Sequence, residues 1–273
     1  LQPGGTNAVH REFTLYAGPK EYRSLAKLGT QMGNELDLIM DYGGFFGFFA
    51  KGLLLSMNGL HSFGLNYAWC IIAITIIIKL LFFPLANKSY KAMSKMKALQ
   101  PEMEKLKERF GEDRQRLNQE MMQLYRREKV NPAAGCLPIM VQIPVFFALY
   151  KVLYTTIEMR HAPFYGWIKD LSAPDPLHIL NLFGYLDFNP PAFLAIGVFP
   201  VLLGLSMYFQ FKLNPAQMDP MQQQVFAIMP WMMMFVMAPF AAGLLIYWIT
   251  SNLLTIAQQK FLYSRHPQLK APA

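Results

Sequence analysis

The sequence predicts an all-α membrane protein with a five-transmembrane-helix core. Hydrophobic residues make up 53% of the chain and charged residues 15%, whereas soluble domains carry about 25% charged residues. The mean hydropathy is +0.21. Long apolar segments recur along the chain, and the longest is divided by Pro239 and the small residues after it. The predicted spans are residues 66–86, 135–156, 193–211, 225–239 and 241–259.

Residues 1–40 are predicted to be the end of an extracytoplasmic domain. The alternation of Phe13 and Leu15 indicates a strand over residues 11–16, and a helix is expected at residues 20–28. We therefore expect a small β/α remnant of a larger domain, most of which would precede the first residue.

Residues 41–65 are predicted to form an amphipathic helix in the outer membrane interface. The segment is apolar and aromatic, but several glycines and Lys51 interrupt it. Phe side chains would insert into the lipid, and Lys51 would point toward the headgroups. The alternative is a sixth span, which would change the side on which one terminus lies.

Residues 88–130 are predicted to form an antiparallel helical hairpin outside the membrane. Apolar residues recur there at steps of three and four with charged residues between them, which indicates two amphipathic helices. Phe110 and Gly111 would end the first helix, and Asp113 would begin the second. The charges form either a solvated face or a docking arm for a partner. The apolar positions are Met93, Met96, Leu99, Met103, Leu106, Phe110, Leu117, Met121, Leu124 and Tyr125.

The distribution of Lys and Arg predicts the orientation. These residues crowd the hairpin segment, whereas the loop at residues 160–191 holds only Arg160 and Lys169. The positive-inside rule places the hairpin and the tail at residues 264–273 in the cytoplasm, and the N-terminal part outside. The net charge of +8 then reflects topology and attraction to anionic lipid, because no nucleic-acid-binding motif accompanies it.

Lys79 lies alone in the apolar run of the first predicted span. With a helical rise of about 1.5 Å per residue it would lie roughly 12 Å from the far end of that span. Holding an ammonium inside the bilayer costs about 2.5–3.5 kcal/mol, so such a group usually faces a partner or a water-filled cavity. The alternative is that its flexible stem reaches the nearer interface. Thr75, one turn earlier, shares its face of the helix.

Neither catalysis nor cofactor binding is predicted. Cys70 and Cys136 lie in predicted spans without metal-ligand spacing, so they are interpreted as packing residues. No phosphate-binding loop, zinc-protease motif or nucleophile-elbow motif occurs, and the five histidines lie outside the predicted spans. We expect no enzyme activity, no metal, no cofactor and no nucleotide.

Short motifs occur in order between residues 98 and 252. They are Ala98-Leu-Gln-Pro101, Gln119-Glu-Met-Met122, Leu124-Tyr125, Val130-Asn-Pro132, Gly135-Cys136-Leu-Pro138, Gln142-Ile-Pro144, Phe147-Ala-Leu-Tyr150, Asp219-Pro-Met-Gln-Gln223 and Ser251-Asn252. In this order they resemble the bacterial YidC members of the YidC/Oxa/Alb membrane protein insertases, and the resemblance extends over about residues 40–263. The resemblance implies a multi-pass protein of the bacterial inner membrane that inserts and folds other membrane proteins.

The resemblance also implies a hydrophilic groove open to the cytoplasm and to lipid. Lys79 occupies the position of a cationic residue, usually arginine, that lines this groove, and Thr75 resembles a neighbouring threonine. Tyr247 and Trp248 fall where an aromatic pair is expected, although Trp248 replaces the more familiar second tyrosine. Three further polar residues either line the groove or bond between helices. They are Gln142, Gln210 and Asn252.

The implied partners are nascent membrane proteins with short translocated tails, the Sec translocon and the lipid bilayer, with the ribosome and the signal-recognition receptor as further candidates. Phe147, Met233 and Met237 would form an apolar exit surface for the substrate helix, because methionine adapts to varied sequences. Ordinary packing is the alternative role of these methionines. Alternative functions are a Sec-associated structural scaffold and a secondary transporter of a small anion.

Overall fold

The structure is a computed structural model that describes residues 13–40, 42, 45–111, 113–131, 137–186, 188, 190–191, 194–213 and 220–265. In these ranges the chain is predominantly helical, which confirms the all-α prediction at that level. Cys136, residues 1–12 and most of the predicted tail lie outside the described residues. The helices are α1 (Tyr22–Met32), α2 (Phe45–His61), α3 (Tyr67–Leu81), α4 (Phe83–Ala98), α5 (Gln100–Phe110), α6 (Arg114–Arg127), α7 (Leu137–Thr155), α8 (Val198–Leu213), α9 (Pro220–Met237) and α10 (Ala242–Arg265).

The strand predicted at residues 11–16 is wrong for the part that the structure describes. Residues 13–16 form no ladder, and both Phe13 and Leu15 are almost fully exposed. A strand needs a neighbour to satisfy its backbone groups, and no described segment supplies one here. The helix expected to follow is present as α1, which ends at Gly33 with a left-handed φ of 65°.

Helix α2 packs against α7 and α3. Its buried face is formed by Ala50, Leu54 and Met57. Lys51 lies on another face, where its Nζ is 3.4 Å from Asp37 Oδ2 and 5.1 Å from the centre of the Tyr22 ring. The ammonium that is predicted to meet lipid headgroups therefore ties α2 to the N-terminal segment.

The helix predicted over residues 66–86 is broken at Phe82. Helix α3 ends at Leu81, and the axis turns by 61° into α4. Pro84, in the first turn of α4, has no amide hydrogen to donate to the carbonyl of Leu80, and its ring clashes with a continued helix.

No single described helix is both long enough and apolar enough to cross a membrane. The bent pair Tyr67–Leu81 and Phe83–Met96 meets this criterion only when its two parts are taken together. The number and limits of the spans stay a prediction.

Helix α4 belongs to the helical core rather than to the hairpin. The apolar periodicity predicts one helix from Met93 to Phe110, but the structure ends α4 at Ala98, three residues before Pro101. Met93 and Tyr90 instead pack against Leu262 of α10. Pro101 fits the first turn of α5, where its missing amide hydrogen costs nothing, but it cannot continue α4.

The hairpin consists of α5 and α6. Asp113 caps α6 by accepting hydrogen bonds from the amides of Gln115 and Arg116 at 3.1 and 3.0 Å, which confirms the acidic start. Gly111 keeps a right-handed φ of −58°. A glycine is required at this position for a steric reason, because a Cβ would lie 2.6 Å from the Lys107 carbonyl oxygen.

Two further contacts hold the hairpin together. The Arg116 guanidinium lies 5.3 Å from the centre of the Phe110 ring at the turn. At the open end Arg127 Nη2 lies 2.9 Å from Glu102 Oε2. The ends of α5 and α6 nearest the helical core are therefore adjacent.

Helix α10 lies at the centre of the core, where it packs against α8, α3 and α7. Its first amides are satisfied by the α7–α8 loop, since Ala242 donates to the Ala173 carbonyl at 2.8 Å and Gly243 to the Leu171 carbonyl at 2.9 Å. A Cβ at Gly243 would lie 3.1 Å from the Leu171 oxygen and 3.0 Å from the Leu153 side chain. Cys70 is fully buried in the same core, in agreement with a packing role.

Candidate functional site

The candidate site is a polar network between α3, α7 and α10. Lys79 Nζ donates to Thr255 Oγ1 at 2.9 Å and to Gln142 Oε1 at 3.3 Å. Gln142 Nε2 donates in turn to Ser251 Oγ at 2.8 Å. Three helices that are distant in sequence thus bring Lys79 and three neutral polar side chains together in one network.

The helix geometry explains why these side chains meet. Ser251 and Thr255 are four residues apart and therefore lie on the same face of α10. The Thr255 hydroxyl also donates to the Ser251 carbonyl at 2.8 Å, which leaves its lone pairs for Lys79.

The ammonium of Lys79 is bound only by neutral oxygens among the described residues. A lysine carries three N–H donors, and the contacts with Thr255 and Gln142 use two of them. No carboxylate in the described ranges pairs with it. A partly buried charge without a counter-charge favours an incoming anion, because the anion supplies the attraction that the protein omits.

Thr75 and Tyr247 lie beyond this network in a closed part of the core. Thr75 is 2% exposed, and its hydroxyl donates to the Ile71 carbonyl at 2.6 Å. Both residues line a cavity of about 10 Å³, which is room for about one water. The predicted groove is therefore not open at Thr75 and Tyr247. The other lining residues are Leu53, Met57, Ile71, Ile74, Ile78, Val145 and Leu149.

Asn252 and Gln210 do not join Lys79. The buried Asn252 donates through Nδ2 to Ser206 Oγ on α8 at 2.9 Å, so the structure favours the interhelical role over groove lining. Gln210, one turn after Ser206, is half-buried on α8. Trp248 packs edge-on against Phe146 with ring centres 5.2 Å apart. The residues predicted for one groove thus divide between the Lys79 network, the closed core and the α8–α10 contact.

The three residues predicted for the exit surface have different surroundings. Phe147 on α7 is exposed and packs against Phe46 of α2 at 5.3 Å. Met233 is half-buried, and Met237 is only 7% exposed because the end of α9 packs onto α8 and α10. Met237 is therefore a core residue in this structure, which favours ordinary packing, the alternative role, for this methionine. Met232, 50% exposed on the same helix, offers an accessible apolar side chain in its place.

Two residues of the network are absent from the predicted groove set. They are Ser251 and Thr255. Their spacing could have indicated a polar helix face, since two hydroxyls at positions i and i+4 within a predicted span share one face. The signal is weak because such hydroxyls often bond only the carbonyl one turn back, as Thr255 also does.

The hairpin carries a cleft of about 770 Å³ on the face shared by α5 and α6. Its charges balance, with three acidic and three basic side chains around Leu106 and Leu124. No member supplies a nucleophile or a metal site, and no group of metal-ligating side chains occurs within the described residues. The lining residues are Glu102, Lys105, Leu106, Glu108, Arg109, Glu120, Gln123, Leu124 and Arg127.

Comparison with family models gives two matches. Residues 59–269 match the model described as 60Kd inner membrane protein, and residues 1–55 match the model described as YidC periplasmic domain. The first match includes all four side chains of the Lys79 network. The second ends within α2.

Curated relatives share about half of the aligned residues. The “Membrane protein insertase YidC” of Rickettsia rickettsii is 52% identical over 263 residues, which is 96% of this chain and 46% of the relative. The protein of the same name from Nitrobacter hamburgensis is 49% identical over 280 residues, which is 96% of this chain and 45% of the relative. The chain thus spans about half the length of the curated relatives it matches.

A solved structure shares the fold. The “Active YidC insertase crystal structure with the first transmembrane domain resolved” superposes with a TM-score of 0.57 at 23% sequence identity. The match covers 85% of this chain and 52% of that chain.

Proposed function

Because the chain belongs to the 60Kd inner membrane protein family, we propose that it inserts and folds nascent membrane proteins. The substrates would be membrane proteins with short translocated tails that enter from the cytoplasm. Insertion would take place in the bacterial inner membrane, alone or beside the Sec translocon. The curated relatives bear the name membrane protein insertase, which supports the same activity for this chain.

The observation that carries the proposal is the Lys79 ammonium bound by neutral oxygens. Thr255 and Gln142 orient the ammonium without neutralising it. A translocated tail with acidic residues gains an attractive interaction at this point, in surroundings less polar than water. Lys79 would therefore hold the tail while the apolar part of the substrate reaches lipid.

The energetic argument follows from the depth of this network. A polar tail loses hydrogen bonds with water when it enters hydrocarbon, so a hydrated path as far as Lys79 shortens the dry distance. The closed cavity at Thr75 and Tyr247 supports a groove that ends before the outer side. Partitioning of the substrate helix into lipid, together with the membrane potential, would supply the free energy. No nucleotide and no catalytic step are involved.

The topology belongs to the same proposal. Five spans would place the N-terminal part in the periplasm and the C-terminus in the cytoplasm, with the α5–α6 hairpin on the cytoplasmic side. The excess of Lys and Arg in the hairpin segment over the α7–α8 loop supports this orientation. The hairpin would meet the nascent chain or its delivery machinery, for which the ribosome and the signal-recognition receptor are the candidates.

Reconstitution tests the activity. The purified chain alone in liposomes should integrate a newly synthesised single-span protein so that its tail is protected from added protease. Protein-free liposomes, and liposomes with an unrelated membrane protein, provide the background. Insertion at background level would overturn the proposal. Restoration only on addition of the Sec translocon would instead indicate the structural scaffold.

A further inference from the structure

One segment of the α7–α8 loop exposes an unusual concentration of apolar side chains. Tyr185 is 89% exposed and Leu182 54%. Asp187 is the only formally charged residue at positions 176–197. Soluble surfaces rarely keep contiguous apolar patches of this kind without a partner. The exposed apolar residues are Ile179, Leu180, Leu182, Phe183, Tyr185, Leu186 and Phe188; we call residues 178–186 and 188 the apolar finger.

Six described backbone amides of the apolar finger donate to acceptors within the finger. Phe183 N donates to the His178 carbonyl at 2.9 Å, and Leu186 N donates to the Asn181 carbonyl at 3.0 Å. The Asn181 side chain also accepts a hydrogen bond from the Gly184 amide at 3.0 Å. Internal pairing matters here because backbone groups entering a lipid interface lose hydrogen bonds with water. The remaining internal donors are Leu182, Tyr185 and Phe188.

Two consecutive residues of the finger have left-handed backbone angles. Leu182 has a φ of 49° and Phe183 a φ of 63°. Such angles are unfavourable for bulky side chains and persist only where the surrounding structure maintains them. They direct apolar side chains outward instead of toward the core. A favourable contact between these side chains and a surface outside the protein would therefore offset the free-energy cost of the strained backbone.

The base of the finger is held by several hydrogen bonds. The buried carboxylate of Asp175 accepts hydrogen bonds from the Phe199 amide at 2.7 Å, the Leu177 amide at 3.0 Å and the Trp167 indole at 2.9 Å. An isolated antiparallel bridge joins His178 to Gly197. Since Phe199 lies in the first turn of α8, the finger is attached directly beside the start of that helix.

We propose that the apolar finger inserts into the headgroup–acyl boundary of the lipid leaflet next to the start of α8. The inference rests on the proposed membrane location. Lipid fits because the finger is nearly uncharged and six of its described amides are internally paired. Tyr185 provides the apolar ring and polar hydroxyl that are favoured at membrane interfaces. Helix α8, which begins beside the finger, also exposes the apolar side chains of Leu202, Leu205 and Phe209.

Depth-dependent fluorescence quenching tests the inference. Cys70→Ala and Cys136→Ala remove the native thiols, and single cysteines then replace Tyr185, Leu182, Phe209 or Lys169. Each variant is labelled with bimane and reconstituted in nanodiscs. Nitroxide-labelled phospholipids report contact with lipid, and iodide reports contact with water. Phe209 represents the α8 face, and Lys169 represents an exposed polar position of the same loop.

Labels at Tyr185 and Leu182 should be quenched by shallow nitroxide lipid at least about twofold more than the label at Lys169, with the reverse order for iodide. Equal quenching of the labels at Tyr185, Leu182 and Lys169 would overturn the inference. Quenching of the Phe209 label by nitroxide lipid would in that case still support the membrane location of the helical core. Protection of the finger labels from both quenchers would also overturn it, because another protein surface would then cover them. Failure at Phe209 as well would contradict the proposed membrane location itself. The thermal midpoint of each labelled variant shows that it is folded.

Discussion

The Lys79 ammonium donates a hydrogen bond to the Thr255 hydroxyl across 2.9 Å, which joins α3 to α10. The two residues are 176 positions apart in sequence. Gln142 contributes the second acceptor from α7. A charge held in this way is oriented by three helices and still available to an anion.

Removal of the Lys79 charge should reduce insertion. Lys79→Ala and Lys79→Glu should slow insertion of acidic-tailed substrates by roughly tenfold, equivalent to about 1.4 kcal/mol. Lys79→Arg should keep most activity because it keeps the charge. Protease protection in liposomes is the measurement, and Lys91→Ala, an exposed lysine on α4, is the matched control. Equal insertion by wild type and Lys79→Glu for several acidic-tailed substrates would refute the role of the charge.

Loss of the Thr255 acceptor should destabilise the folded protein. Thr255→Val keeps the shape but leaves the partly buried ammonium with one fewer partner, at a cost of about 1–3 kcal/mol. Thermal unfolding in detergent measures the change, with Thr250→Val as the control on the same helix. In the Lys79→Met background the effect of Thr255→Val should be much smaller. Equal effects in the two backgrounds would show that the two side chains are not coupled.

Deletion of the hairpin should abolish insertion but leave the protein folded. The Glu102–Arg127 ion pair brings the ends of α5 and α6 together, so a short Gly-Ser linker can replace residues 100–127. This deletion keeps Tyr90 and Met93 on Leu262. The shortened protein should keep its thermal midpoint but lose insertion. Normal insertion would make the hairpin only a tether.

Photocrosslinkers should locate the route of the substrate helix. Probes at Phe147, Met232 and Met233 should capture the apolar segment of a stalled nascent chain. Probes at the buried Met237 and at the exposed Phe13 should not. Met232→Arg should also be costly, by about 2.5–3.5 kcal/mol if that side chain faces the bilayer centre. Capture at Phe13 alone would place the route elsewhere.

Asp170 should contribute stability that depends on pH. Burial raises the pKa of this carboxyl, but hydrogen bonds from Ser172 and His161 outweigh burial and leave the pKa below its usual 3.8. The stabilisation is therefore present above pH 3.8 and is lost as the pH falls through the lowered pKa of the folded state. Thermal unfolding should show Asp170→Asn below wild type near neutral pH, and the two should converge in acid. A stability difference between wild type and Asp170→Asn that stays constant from neutral to acidic pH would exclude this pH dependence. Lys169→Ala is the control for a substitution in the same loop.

Local chemistry determined much of the fold directly from sequence. Apolar runs predict the helical core because a helix satisfies the hydrogen bonds of its own backbone. Asp113 predicts the start of α6 because its side chain accepts hydrogen bonds from free amides. Pro239 predicts the break in the last apolar stretch and lies between α9 and α10. Pro84 and Pro101 carried equally local signals, and the structure breaks helices at both.

Only the tertiary structure decided which polar side chains meet. The partners of Lys79 depend on how α3, α7 and α10 are rotated against one another, which hydrophobic periodicity does not specify when a helix is apolar on nearly every face. Helix rotation also decides why two neighbouring residues have different partners. Asn252 is hydrogen-bonded to Ser206, whereas Ser251 is hydrogen-bonded to Gln142. Burial of Met237 likewise depends on the packing of α9 against α8 and α10, because an apolar side chain is equally suited to lipid and to a protein core.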